Sequence, residues 1–323
     1  MVSNLKIIST LIKQGSDILV SAGIDTPVVD SELLAAFALG ITRSELKQKL
    51  IFGEVMPDEV ATRFISLIQQ RASRVPLQHL TGKAPFRFLE LNVGPGVFIA
   101  RPETESVAGA AIEWLTQQST NLNQQSAKLN LTELNQQQSA NQPKQIAVDL
   151  CTGTGAIALA IATECPNVAV YAVELDATAQ QWAARNIHDI APQVQLIKGD
   201  AQTALPELNN QVDLVISNPP YLAPHQIPTD PEVHAHDPHL ALYGGGPDGL
   251  EIPQGIVRAA VRLLKPGGMF VMEHGDNQAA AVATLVANGG FERVVSQLDL
   301  TGRDRFITAF RTTRPALTRT NGT

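Results

Sequence analysis

The chain has 323 residues, 44% of them hydrophobic and 17% charged, with a net charge of −7. That is an ordinary soluble globular balance, with enough length for one large domain and one small one, each with its own core. The longest apolar runs, such as 156–162, fall far short of the ~20 residues needed to cross a bilayer, so no membrane is expected as a partner. Residues 1–9 lack the charged-then-apolar layout of a secretory signal. Two cysteines, Cys151 and Cys165, give no disulfide framework and point to a reduced, cytoplasmic setting. Residues 1–84 hold nine Lys/Arg against eight Asp/Glu, and residues 85–323 hold fifteen against twenty-three. A protein that neutralises several phosphates usually carries a basic face, so this distribution disfavours nucleic acid as a partner.

The first 83 residues read as short amphipathic helices. Leu5, Ile8, Leu11 and Ile12, then Ile18, Leu19 and Ala22, recur at three- and four-residue steps. Gly23 closes this helix, and Pro27 precedes the next, carried by Leu33, Leu34, Phe37 and Ala38. Thr42 and Glu45 have the spacing of a capping box. Pro57 opens a longer helix with Val60, Phe64, Leu67 and Ile68 inward. Residues 1–83 are therefore expected to form a small α-helical domain of about five helices. Phe86, Phe88, Leu91, Val93, Val97 and Phe98, punctuated by Gly94-Pro95-Gly96, read as a β-hairpin linker over 84–100. A helix follows at 103–115. Residues 117–145 are rich in Gln, Asn and Ser, a composition that buries little surface and reads as a flexible insertion.

From residue 146 strands and helices alternate. Strands are expected at 146–150, 168–175, 194–199, 212–217 and 269–273, with helices at 156–163, 177–186, around 255–264 and at 278–287. Two strands near 293–298 and 305–311 close the chain. The alternation implies an α/β, doubly wound sheet with helices on both faces. The closing pair has no helix between its strands and so predicts a terminal antiparallel hairpin. That ending suits a seven-stranded methyltransferase sheet better than a dinucleotide dehydrogenase. The main domain is expected over 101–315, with 316–323 a disordered tail.

Three strand ends carry groups of interest. Asp149-Leu150-Cys151-Thr152-Gly153-Thr154-Gly155 joins the first parallel strand to its helix, at the carboxyl edge where ligands bind. Its glycines let the backbone pass close to a ligand. The spacing is not G-x-G-x-x-G, and an acidic residue ahead of the turn suits a cationic sulfonium cofactor, which has no phosphate to cradle. A plain tight turn is the alternative. Glu174 ends the second strand, where a carboxylate can accept hydrogen bonds from both ribose hydroxyls, and Asp200 after the third can meet an adenine amino group. Either acid alone could be a solvated strand end, but three consecutive strand ends carry more weight than one.

Asn218-Pro219-Pro220-Tyr221 follows the fourth strand and is the most specific signal in the chain. An amide or aromatic amine nitrogen is a poor nucleophile because its lone pair is conjugated. The Asn218 side-chain oxygen and the Pro219 carbonyl can accept its two N–H bonds and so turn the lone pair toward a sulfonium methyl. Two prolines stiffen the loop, and Tyr221 offers a flat wall to a planar group. Such a site works by positioning and transition-state hydrogen bonding, without a strong base.

These residues resemble the release-factor glutamine methyltransferases, nearly end to end apart from the Gln/Asn-rich stretch and the last dozen residues. The resemblance rests on PLQHLTGKAPF at 76–86, FIARPETE at 98–105, DLCTGTGAIALA from Asp149, the NPPY loop, DPHLALYGG at 237–245 and EHG at 273–275. NPPY by itself also fits adenine methyltransferases. The RPETE segment joined to a small helical N-terminal domain narrows the choice. The resemblance implies a class I, Rossmann-like methyltransferase fold and S-adenosylmethionine as cofactor. The implied acceptor is the glutamine side-chain amide in the Gly-Gly-Gln tripeptide of peptide-chain release factors, a modification that modulates translation termination. It also implies N-terminal helices that help hold the factor. It carries Phe98, Arg101 and Thr104 into the cofactor pocket, alongside Cys151, Thr152, Gly153, Thr154, Gly155, Ala201 and Asn218. Three positions depart from the family pattern: Ala100 where proline is common, Cys151 where glycine is common, and Ala201 where some members carry an aromatic.

Other patterns weigh less. His234, His236 and His239 lie in a long loop without partners at metal-site spacing, so no metal is expected. Cys151 sits in the cofactor turn with no histidine nearby in sequence, which favours packing over nucleophilic chemistry. Arg101 and Glu103 could be a simple salt pair at a helix entry. Three competing functions remain: a glutamine methyltransferase of a ribosomal protein, an adenine-specific nucleic-acid methyltransferase, and a non-catalytic binding protein on the same scaffold.

Overall fold

The structure is a computed structural model, and it describes residues 6–130 and 145–313. Helices α1 (Ile8–Ser21), α2 (Pro27–Leu39), α3 (Arg43–Ile51), α4 (Asp58–Ala72) and α5 (Leu77–Thr81) come first. A hairpin, β1 (Lys83–Phe86) and β2 (Leu89–Asn92), leads to the long helix α6 (Pro102–Asn130). Then follow β3 (Gln145–Leu150), α7 (Ala156–Glu164), β4 (Val168–Glu174), α8 (Ala177–Ile190), β5 (Gln195–Lys198) and β6 (Val212–Ser217). Two short helices, α9 (Pro231–His236) and α10 (His239–Leu242), occupy the loop after β6. The chain ends with α11 (Glu251–Leu263), β7 (Leu264–Glu273), α12 (Ala279–Asn288), β8 (Phe291–Leu298) and β9 (Asp304–Arg311).

Two compact units emerge. One comprises residues 1–83, 93–95 and 227–237, and the other residues 84–92, 96–226 and 238–323. The helical unit is therefore discontinuous in sequence. Its core joins Ile8, Leu11, Ile12 and Leu19 of α1 to Leu34, Ala35 and Ala38 of α2 and to Phe64, Leu67 and Ile68 of α4. Most of the apolar positions read from the sequence pack here, but Ile18 faces outward at 43% exposure and Leu5 lies outside the described residues. The Thr42–Glu45 capping box is present: the Thr42 N–H donates to the Glu45 carboxylate at 2.7 Å, and Thr42 Oγ1 accepts from the Glu45 N–H.

Gly15 of α1 lies tight against side chains of α2 and α4. A Cβ there would meet Ser31 Oγ at 2.7 Å, Ile68 Cδ1 at 2.9 Å and Phe64 Cζ at 3.0 Å. Ser31 cannot give way freely, because its hydroxyl donates to the Ile12 carbonyl at 2.8 Å. Gly15→Ala gains helix propensity worth about 0.5–1 kcal/mol, but overpacking costs about 1–3 kcal/mol. The expected outcome is a net loss of stability and a lower thermal midpoint by circular dichroism. A raised midpoint would mean that the α1–α2–α4 junction opens to admit a methyl group.

A partly buried ion network ties the 227–237 segment into the helical unit. Arg71 donates to Asp30 Oδ2 through Nε and to Glu232 Oε1 through Nη1, both at 2.7 Å. Arg74 reaches the same Glu232 carboxylate at 3.2 Å and the carbonyls of Ala22 and Gly23. Burial opposes ionisation of Glu232, but its hydrogen bonding with Asp230, Arg71 and Arg74 holds its carboxyl down at about 2.

In the larger unit the sheet order is β5-β4-β3-β6-β7-β9-β8, with β7–β9 and β9–β8 antiparallel and all other pairs parallel. This is the expected doubly wound sheet with its terminal antiparallel hairpin. Every residue from Ala156 to Ala162 of α7 is buried, which is why that helix reads as a continuous apolar run. Two sequence expectations are corrected. The hairpin closes at Arg87–Phe88 and ends at Asn92, and residues 93–100 carry no strand. Pro95 has no N–H to give to a ladder, and Arg87 instead pins the turn through two bonds to the Glu164 carboxylate, at 2.6 and 2.7 Å. The Gln/Asn-rich stretch begins as helix: α6 runs on through Asn130, since Gln, Ala and Leu are good helix formers. Ser119 Oγ also fixes that extension to Gln145 Oε1 at the start of β3, at 2.7 Å. The remainder of the stretch, 131–144, and the tail at 316–323 lie outside the described residues. Among the described residues no helix is long and apolar enough to cross a membrane.

Candidate active site

Leu150 pairs with Val173 and Ser217, so β3, β4 and β6 end level with one another. Their following loops rise from one edge of the sheet, and the chain order turns between β3 and β6. That is the switch point at which open α/β sheets bind ligands. Glu174, the 149–155 turn and Asn218 are brought together there by strand register alone.

The acidic side of this edge is built tightly. Asp149 is fully buried, and its Oδ2 accepts from Thr152 Oγ1 at 2.5 Å and from the Ala158 N–H at 3.2 Å. Its Oδ1 has no hydrogen-bond partner among the described residues. Glu174 spans the turn from the other side, accepting from the Gly153 and Asp176 N–H groups at 2.8 Å each. Thr154 is bound through its carbonyl by the Asn186 amide, which also brackets Asn92. Cys151 takes φ 65°, a conformation that costs a side chain about 1–2 kcal/mol and explains why glycine serves better there. Burial, then the charges of Glu174 and Asp149, push its thiol far up, so it stays protonated and is no nucleophile. Asp200 and buried Ala201 follow β5, with the Asp200 carboxylate accepting from Gln202 N–H at 2.9 Å. The Arg101 guanidinium stacks over the Phe98 ring at 5.1 Å. Thr104 is placed differently from a pocket-lining residue: it is buried, and its hydroxyl is shared between Glu273 and Asn218.

These residues fit a cationic ligand. Burial raises the Asp149 carboxyl to about 7, with repulsion from Glu174 adding to it, and burial raises Glu174 as well. A Cβ on Gly153 would meet nothing within 4 Å, so the turn faces open space. A positive charge entering that space favours the ionised acids, so binding draws their pKa values down and releases protons below about pH 7. S-adenosylmethionine affinity should therefore rise with pH, by up to about tenfold per unit for each linked proton, and level off above neutrality. Calorimetry in buffers of different ionisation heat measures the release directly. Flat affinity with no buffer-dependent heat between about pH 6 and 8 would sever Asp149 from the ligand.

The Asn218-Pro219-Pro220-Tyr221 loop is anchored on all sides. Ser217 Oγ donates to the Leu150 carbonyl at 2.6 Å, and the Tyr221 and Leu222 N–H groups donate to Leu242 O at 3.1 and 2.8 Å. Gly244 passes so close to the Pro220 and Gly249 carbonyls that no side chain fits, which accounts for the first glycine of DPHLALYGG. Gln278 Nε2 donates to the Tyr221 carbonyl at 2.8 Å, while its Oε1 holds the Gly275 N–H. Among the described residues no donor reaches Asn218 Oδ1 or the Pro219 carbonyl. Two acceptors on a rigid loop, beside an acidic turn, can hold the two N–H groups of a planar nitrogen. Tyr221 stays a neutral phenol, since burial and the nearby Glu273 push its pKa up. Asn186, Gln278 and Glu273 escaped the sequence reading, and only the EHG segment signalled the last of them. The histidine loop is put to packing: His236 meets the His79 ring edge-on at 6.4 Å, and His239 lies 5.2 Å from the Tyr243 ring. No group of three or more metal-ligating side chains occurs among the described residues.

A seven-stranded sheet of this order, with an acidic turn and NPPY at its switch point, defines a class I methyltransferase. Residues 10–82 match the PrmC N-terminal domain and residues 118–233 the methyltransferase small domain. A release factor glutamine methyltransferase from Bifidobacterium longum is 40% identical over 94% of this chain and 99% of its own. One from Streptomyces coelicolor is 42% identical over 92% and 96%. The chain belongs to the release factor glutamine methyltransferase family. A 4-amino-L-phenylalanine/4-methylamino-L-phenylalanine methyltransferase from Streptomyces pristinaespiralis is also related, at 35% identity over 83% of this chain and 82% of its own. Among solved structures, a methyltransferase from Pyrococcus furiosus overlaps 76% of this chain and 99% of its own at 18% identity, with a TM-score of 0.48.

Proposed function

We propose that this chain transfers a methyl group from S-adenosylmethionine to the side-chain amide nitrogen of the Gly-Gly-Gln glutamine in peptide-chain release factors. When bound, the cofactor supplies an electrophilic methyl on a positively charged sulfur. The chain's own residues do the rest. Asp149, Glu174 and Asp200, with the Cys151–Gly155 turn, Ala201, Phe98 and Arg101, hold the cofactor. Asn218 Oδ1 and the Pro219 carbonyl accept the two amide N–H bonds, so that the nitrogen lone pair points out of the conjugated plane. Pro220 stiffens the loop and Tyr221 walls the planar group. The nitrogen sheds its proton after it has gained the methyl, so no strong base is needed. The helical unit, led by residues 1–83, contributes factor recognition, and residues 101–315 the chemistry, in the cytoplasm.

The observation that carries this reading is the pair of acceptors, Asn218 Oδ1 and Pro219 O, fixed beside the acidic turn. Both the glutamine amide and the aromatic amine named for the Streptomyces pristinaespiralis relative are conjugated nitrogens, the class such a pair suits. The relatives with higher identity favour the glutamine. Labelled cofactor is incubated with purified release factor, 4-amino-L-phenylalanine and duplex DNA in parallel, and the methyl group is mapped by mass spectrometry. Methylation of the DNA or the free amino acid, with none on the factor, overturns the proposal.

A further inference from the structure

Asn218, Thr104, Glu273 and Tyr221 are joined by successive side-chain hydrogen bonds. Thr104 Oγ1 is 2.7 Å from Glu273 Oε2 and 3.3 Å from Asn218 Nδ2, and Glu273 Oε1 is 3.4 Å from the Tyr221 hydroxyl. Thr104 and Glu273 are almost completely buried. We propose that Thr104 and Glu273 act as positioning residues that fix which way the Asn218 carboxamide faces, and so set the site to receive an N–H donor and refuse an acceptor.

The argument is one of hydrogen counting. An ionised carboxylate only accepts, and a threonine hydroxyl owns a single proton. With that proton given to Glu273, Thr104 presents only lone pairs to Asn218, so the amide must turn its N–H₂ inward and its oxygen outward. A flipped Asn218 would either set its oxygen against those lone pairs or draw the single proton away from Glu273, leaving the buried carboxylate with the Tyr221 hydroxyl alone, and either outcome is a loss. Burial raises the Glu273 carboxyl to about 7; Thr104, Arg305 and Tyr221 draw it down, and Glu103 repels it. An assay at about pH 8 keeps it charged. The inference rests on the proposed acceptor chemistry, in which an outward Asn218 oxygen meets the substrate amide.

The test uses Thr104→Val, Thr104→Ala and Thr104→Ser in the full chain, so that a misfolded Val variant still leaves Ala to read the missing hydroxyl. Steady-state methylation of intact release factor should show kcat down roughly tenfold to a hundredfold in Val and Ala, with recovery in Ser. Cofactor affinity by calorimetry should be unchanged in all three. The factor carrying Gln→Glu in its Gly-Gly-Gln, whose carboxylate repels an outward oxygen, should inhibit the Val and Ala variants more strongly than wild type. Full kcat in folded Val or Ala protein, no recovery with Ser, or cofactor affinity falling in step with kcat each overturns the inference. A wild type that leaves the factor unmethylated sinks the substrate reading and this inference with it. A working wild type beside an unimpaired variant sinks the inference alone.

Discussion

Asn218→Ala is expected to lose turnover by about 10²-fold or more, as deletion of one transition-state hydrogen bond does elsewhere. The loss should fall on kcat, with S-adenosylmethionine affinity little changed. The reason is that the loop keeps its anchors without the Asn218 side chain. Ser217 still holds the Leu150 carbonyl, the Tyr221 and Leu222 N–H groups still bind Leu242, and Gln278 still holds Tyr221. The acidic turn, braced by Glu174 and Asn186, is untouched by the change. Single-turnover methylation with saturating cofactor separates the two effects. Near-normal turnover would remove Asn218 from the chemistry and leave the Pro219 carbonyl to act alone.

Changing the acceptor glutamine to glutamate is expected to abolish methylation. Ionised glutamate offers no donors and sets its oxygens against Asn218 Oδ1 and the Pro219 carbonyl, a mismatch of several kcal/mol in a site built to receive N–H groups. Intact factor should also outperform a short Gly-Gly-Gln peptide, because contacts away from the reacting atom supply binding that the peptide lacks. Comparing kcat/KM for factor, variant factor and peptide reads both effects. A methylated glutamate side chain would show that the pocket does not count hydrogens.

How much of this was legible in the sequence depends on distance along the chain. Strands such as Val212–Ser217, buried throughout, announce themselves as apolar runs, and NPPY sits at the strand end where a ligand edge was expected. The helix starting at Pro102 was visible, but its end was not. Composition signalled a loop, whereas a bond from Ser119 to Gln145, 26 residues on, helps hold a helix. The resemblance places Thr104 in the cofactor pocket, while its hydrogen-bond partners, Asn218 and Glu273, stand 114 and 169 residues away, out of reach of any local pattern. Asn186 was unremarkable in its helix, and only the fold sets its amide between Asn92 and Thr154. Local periodicity carries elements; it does not carry pairings made by sheet register.

The discontinuity of the helical unit bears on how this protein can be cut and recombined. The matched N-terminal family domain stops at residue 82, but Glu232 belongs to the same compact unit. A fragment ending at residue 83 would keep Arg71, Arg74 and Asp30 and lose the carboxylate that balances the second arginine. Breaking a fully buried pair costs about 3–5 kcal/mol; this one is partly exposed and so costs less, yet it draws on the small net stability of a domain of that size. Grafting the first 83 residues onto the remainder of a relative would likewise join Arg71 to a carboxylate of different ancestry. Such a chimaera keeps its helical unit only where the donor of the second piece supplies an acid at the position of Glu232.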